Sequence, residues 1–188
     1  MVEEIFDFDS YLQIIKDKNF TILSRTDNDE FTYDILDTEK TKRNKLLALK
    51  EKQRQMKIGN IWQEVLGNYD TFVDLGIGHE TGLDIMSHKR KIAIELKNRT
   101  NTDNASSRKS NLDKLAKFKK EHPDYTCVYG NVNGDTEKKT LNGSIKNIMH
   151  NDVEIKQYIG MELFKLILGD NTNVVIEFMK KMIDEKSL

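Results

Sequence analysis

Cysteine occurs once, at position 127, and that scarcity excludes an internal disulfide and a multi-cysteine zinc site. Stability must then come from the core, and any metal must be held by oxygen atoms. Long apolar runs are also missing, since no stretch approaches the roughly 20 residues that a spanning helix needs. The opening Met1-Val2-Glu3-Glu4 lacks the basic and apolar regions of a signal peptide. A cytoplasmic protein, kept in the compartment where it is made, is the expectation. The histidines, at 79, 88, 122 and 150, are too scattered for a histidine metal centre. Gly76-x-Gly78 and the stretch from Gly130 to Gly134 lack the sequence context of a phosphate cradle.

What is present is charge, and it is sorted along the chain. With 188 residues, 37% hydrophobic and 32% charged, and a mean hydropathy of -0.64, the composition suits one soluble globular domain. The net charge of -1 hides an asymmetry. Residues 1–40 hold four Lys/Arg against eleven Asp/Glu, whereas residues 88–120 hold eleven against three. We divide the chain into an acidic N-terminal arm, 1–40, packed on a core, 41–188. Clustered cations in the core are what a polyanionic partner requires, because each neutralised phosphate releases counterions. A solvated helix face is the other reading of the same charges.

Ser10 reads as the N-cap of a short helix reaching Lys18, and Phe20–Leu23 as a short strand or extended link. The spacing of Leu46, Leu47, Leu49, Ile58, Ile61, Trp62 and Val65 predicts a helix from Thr38 to Leu66, broken or closely packed at Gly59 and ended by Gly67-Asn68. Its basic part, Lys42 to Lys57, suits DNA, a dimer interface or solvent. Thr71–Leu75, Leu83–Met86 and Lys91–Lys97 then form a β-meander. A polar loop follows from Asn98 to Ser110, then a helix through Leu112, Leu115 and Ala116 that stops before His122-Pro123, then a strand from Tyr125. Residues 130–147 read as a hairpin or loop, and Ile159–Met182 as one or two helices broken near Gly169.

Ile92, Ile94 and Leu96 alternate with Ala93, Glu95 and Lys97, so the carboxylate and the ammonium share one face of a strand. A charged pair in an apolar strand is costly unless it has a task, although an edge strand with a solvated face would also produce it. Asp84 lies on the preceding strand, within reach through a hairpin. Two carboxylates can hold Mg²⁺ and leave the remaining positions open, and a lysine beside them can orient or deprotonate the attacking water. This is the chemistry of phosphodiester hydrolysis. Asp74 is the rival of Asp84 for the metal. Cys127, in a strand, reads as a buried apolar residue.

The run from Thr81 to Ile85, the run from Ile92 to Thr102, Ser106-Ser107 and the helix ending at His122-Pro123 resemble the PD-(D/E)xK type II restriction endonucleases. Ile58 to Glu64 and Ile159 to Asp170 extend the similarity, which covers roughly residues 55–170. The group in question has Asn and a Thr/Asn-rich loop after Glu-x-Lys, and cuts GGNCC- or GGWCC-type sites. Leu83 stands where a strict motif has proline. The resemblance implies an α/β fold with a central mixed sheet flanked by helices. It makes Asp84, Glu95 and Lys97 the catalytic set, with Mg²⁺ on Asp84 and Glu95 and with Glu64 as a supporting helix glutamate. It further implies a homodimer that cuts double-stranded DNA to leave 5′-phosphates, with a DNA methyltransferase as genetic partner. Asn98, Arg99, Thr100, Asn101, Thr102, Asn104, Ser106, Ser107, Arg108 and Lys109 are the expected DNA-contacting segment, rich in groups that hydrogen-bond phosphates and base edges. A repair or recombination nuclease of the same fold, or a non-catalytic DNA-binding module, are the alternatives.

Overall fold

A computed structural model describes residues 6–25, 32, 34–76, 78–99 and 104–185. Its strands are β1 (Val73–Asp74), β2 (Ile85–Ser87), β3 (Ile92–Arg99), β4 (Thr126–Asn133), β5 (Ser144–His150) and β6 (Val153–Ile159). They form one sheet in the order β1-β2-β3-β4-β6-β5. The first three are antiparallel, β3, β4 and β6 run parallel, and β5 returns antiparallel on β6. The helices are α1 (Phe8–Leu23), α2 (Glu39–Gly67), α3 (Ala105–Glu121), α4 (Glu137–Asn142), α5 (Met161–Leu168) and α6 (Thr172–Glu185). Parallel neighbours need a crossover, and α3 supplies the one between β3 and β4. Among the described residues, no helix is long and apolar enough to cross a membrane.

Alternation along the central strands divides the core in two. Ile94 and Val128 face Ile61, Val65, Leu163 and Ile167, with Tyr11, Ile15 and Met179 in the same cluster. Ala93, Cys127 and Tyr129 face Leu112, Leu115, Ala116 and Phe118. Glycine sets two close approaches. A Cβ on Gly130 would lie 3.0 Å from Leu163 Cδ1, which lets α5 sit tightly on β4, and one on Gly67 would lie 2.8 Å from Asp74 Cβ, which brings the end of α2 against β1.

Several local expectations are corrected. The N-cap of α1 is Asp7, whose side chain accepts from the amides of Asp9 and Ser10. The expected strand Phe20–Leu23 is the last turn of α1, because Ile22 and Leu23 continue the buried face begun by Tyr11 and Ile15. Gly59 neither breaks α2 nor packs closely, since a Cβ there would meet only Asn98 Cβ at 3.9 Å. Helix α3 begins at Ala105, not after Ser110, because the Asn104 side chain accepts from the Ser107 amide and caps it. Residues 130–147 hold the end of β4, α4 and the start of β5. Strand β6 was not expected; Gln157 interrupts its apolar face yet is buried, donating to Asn131 Oδ1 at 2.7 Å.

Candidate active site

Strand β2 pairs with β3 only as far as Ile85 opposite Ile94. Beyond that point the regular ladder ends in a fork: the Asp84 amide still donates to Ile94 O at 3.1 Å, and the Asp84 carboxylate accepts from the Leu96 amide at 2.6 Å. This bond fixes Asp84 at the fork. Glu95 projects from β3 towards α3 and is only 2% exposed. Lys97, two residues further on the same face, donates from Nζ to Glu95 Oε1 at 2.7 Å. The other oxygen, Oε2, is buried without a hydrogen bond, and the Lys114 ammonium of α3 lies 3.9 Å from it.

Electrostatics mark these two carboxylates. Burial pushes the Asp84 carboxyl above the usual carboxylate range, against the pull of the Leu96 amide, Lys97 and Lys114. Burial also raises Glu95, and the charge of Asp84 adds to the rise while Lys97 and Lys114 oppose it. The Asp84 charge thus makes ionisation of Glu95 harder, and the charge of Asp74 does the same to Asp84; perturbed buried acids of this kind cluster at functional sites. Among the described residues, no group of three or more His, Cys, Asp or Glu could hold a metal. Two carboxylates with a buried, unsatisfied oxygen nonetheless fit Mg²⁺, whose sites commonly take one or two carboxylates and leave the rest to water and phosphate.

The fork opens on a cleft of about 470 Å³ lined by Asp84, Lys97 and Asn98 on one side and by Lys52, Gln55, Asn60 and Gln63 of α2 on the other. Asp74 and Glu64 line a neighbouring cleft with Lys18 and Arg25. Asp74 Oδ1 accepts from Gln63 Nε2 at 2.9 Å and from the Gly76 amide at 2.8 Å. Glu64 Oε2 accepts from Lys18 Nζ at 2.8 Å and from Asn68 Nδ2 at 3.0 Å. Gln63 lines both clefts and links the two acidic clusters.

The expected DNA-contacting segment is distributed over several elements. Thr100, Asn101 and Thr102 lie outside the described residues. Asn98 is tied into the fold, donating to Gln55 O and accepting from Asn133 Nδ2. Arg99 lies 3.8 Å from Glu51 at the end of β3 and lines a cleft with Arg54 and Gln55. Asn104 caps α3, and Ser106, Ser107 and Lys109 lie exposed on its first turns rather than in a loop. Arg108 turns inward, its guanidinium 5.0 Å above the Tyr129 ring and 3.5 Å from Gln157 Oε1.

Three residues of the site escaped the sequence reading: Gln63, Lys114 and Tyr129. Tyr129 stands beside Glu95 in the β3–β4 register and its hydroxyl is buried without a partner. The parallel register that follows an α crossover could have indicated Tyr129; nothing local marks Lys114.

A mixed six-stranded sheet flanked by helices, with paired acids at the β2–β3 fork, places the molecule in the restriction-endonuclease-like α/β class. The family model described as Eco47II restriction endonuclease matches residues 27–184, and the chain belongs to that family. Membership makes it a nuclease of the restriction endonuclease kind, and a DNA-binding one. No curated protein matches the chain.

Proposed function

We propose that the chain is a type II restriction endonuclease of the PD-(D/E)xK kind, hydrolysing phosphodiester bonds of double-stranded DNA in a Mg²⁺-dependent reaction that leaves 5′-phosphates. The observation that carries this reading is the buried Glu95 beside the half-buried Asp84, with Lys97 on Glu95 Oε1, inside the segment matched by the family. Asp84 and Glu95 are the metal ligands. When bound, the ion supplies positive charge against the phosphate and acidity for the attacking water. Glu95 is held by burial and by Lys97, and Asp84 by the Leu96 amide, so both carboxylates are oriented before substrate arrives. Lys97 Nζ, part-exposed in the cleft, orients the water and faces the negative charge that develops on the phosphate. Glu64 acts indirectly, anchoring α2 to α1 through Lys18 so that Gln63 stays between the clusters.

The duplex lies along the cleft between α2 and the end of β3, with Arg99, Ser106, Ser107 and Lys109 among its contacts and Thr100, Asn101 and Thr102 proposed as further ones. A GGNCC- or GGWCC-type recognition site, a homodimer, a cognate DNA methyltransferase and a cytoplasmic setting complete the reading. Plasmid DNA incubated with the protein and Mg²⁺ should give discrete fragments with mappable 5′-phosphate ends, and Lys97→Ala should give none. Failure to cut varied DNA substrates in either Mg²⁺ or Mn²⁺ would sink the reading.

A further inference from the structure

We propose that Lys114 is a built-in stand-in for the divalent cation: in the metal-free protein its ammonium lies against Glu95 Oε2 and must withdraw when the ion binds. The inference rests on the reading of Asp84 and Glu95 as metal ligands. The two oxygens of Glu95 are treated differently. Lys97 is hydrogen-bonded to Oε1, whereas Oε2 has a cation at 3.9 Å and no hydrogen bond. At that separation Lys114 compensates charge without satisfying the oxygen as an acceptor. A group that neutralises but does not bond is one that a better ligand replaces.

The surroundings give the side chain both a way in and a way out. Its stem passes the turn before Asp84, where a Cβ on Gly82 would lie 3.4 Å from Lys114 Cδ and 3.5 Å from Cε. The bare glycine backbone, at φ +65°, leaves that passage open. On the other side, Lys114 lines a separate cleft of about 400 Å³ with Glu80, Thr81, Lys117, Glu121 and His122. Glu80 and Glu121 offer carboxylates there to an ammonium that has left Glu95. The Lys114 side chain is 40% exposed against 2% for Glu95, so the lysine can move and the glutamate cannot.

Mn²⁺ takes the same hard oxygen ligands, and its binding to the full chain without DNA can be followed by isothermal titration. An opposite charge within this range is worth a decade or more in a competing equilibrium, so Lys114→Met should bind Mn²⁺ roughly tenfold more tightly than the wild type. Lys114→Arg should bind like the wild type. In chelator, Lys114→Met should melt lower than the wild type, and Mn²⁺ should raise its Tm by more. Lys114→Gln repeats the test should the methionine fold poorly. If the wild type binds Mn²⁺ and both neutral variants bind it no more tightly, the stand-in role is overturned while the metal site survives. If neither wild type nor variants bind Mn²⁺, the metal-ligand reading falls and this inference with it.

Discussion

Two acidic clusters flank α2 and the meander, and they differ in how their carboxylates are satisfied. Asp74 and Glu64 each accept two hydrogen bonds from named donors. Glu95 is fully buried and Asp84 half-buried, both are pushed up by burial, and Glu95 Oε2 is left without a donor. A part-exposed carboxylate bonded to neighbouring elements holds those elements together; a buried oxygen without a donor stores an electrostatic cost that a cation or a reacting group relieves. On the proposed function, the same residue types serve architecture in one cleft and chemistry in the next.

Asparagine exchange at the two aspartates should break the comparison most visibly. Asp84→Asn is expected to lower the rate of DNA cleavage by at least about a hundredfold, as removal of a metal ligand or charge-stabilising group does, whereas Asp74→Asn should lose less than about tenfold, measured with the same plasmid in Mg²⁺. Equal losses would merge the clusters into one site. Glu95→Gln sharpens the contrast through stability. Burial raises the Glu95 carboxyl, so its charged form opposes folding, and the metal-free variant should melt above the wild type at neutral pH while failing to cut DNA. A lower Tm would show that Glu95 is structural.

Smaller effects belong to the cluster of Asp74 and Glu64. Lys18→Met removes a part-exposed pair with Glu64, and a loss of about 0.5 kcal/mol is expected by chemical denaturation, with most cleavage retained. A collapse of activity would make α1 part of the site. Cys127 gives the quietest readout. Burial pushes its thiol up to about 11, so a thiol reagent at pH 8 should leave native protein essentially unmodified and label it only after unfolding. Rapid labelling of the native chain would contradict the packing of α3 on the sheet.

The contact between the proposed catalytic residues was legible because it is local. Glu95 and Lys97 are two residues apart in an alternating strand, and the structure joins them at 2.7 Å. Asp84 needed only a hairpin. Lys114 and Tyr129 reach Glu95 through the α3 crossover and the parallel β4 register, which no local pattern encodes. The start of α3 was misplaced because its Ser-rich first turn reads as a loop until Asn104 is recognised as a cap. Strand β6 was missed because its buried Gln157 breaks the apolar alternation, and only the Asn131 partner explains the burial.

Cleavage of duplex DNA by Glu95→Gln and Glu64→Gln, assayed side by side in Mg²⁺ with both variants shown to be folded, tests the distinction most directly. Glu95→Gln should give no fragments, and Glu64→Gln should give the wild-type fragment pattern at a modestly reduced rate. Cutting by Glu95→Gln, or silence from Glu64→Gln alone, would contradict it.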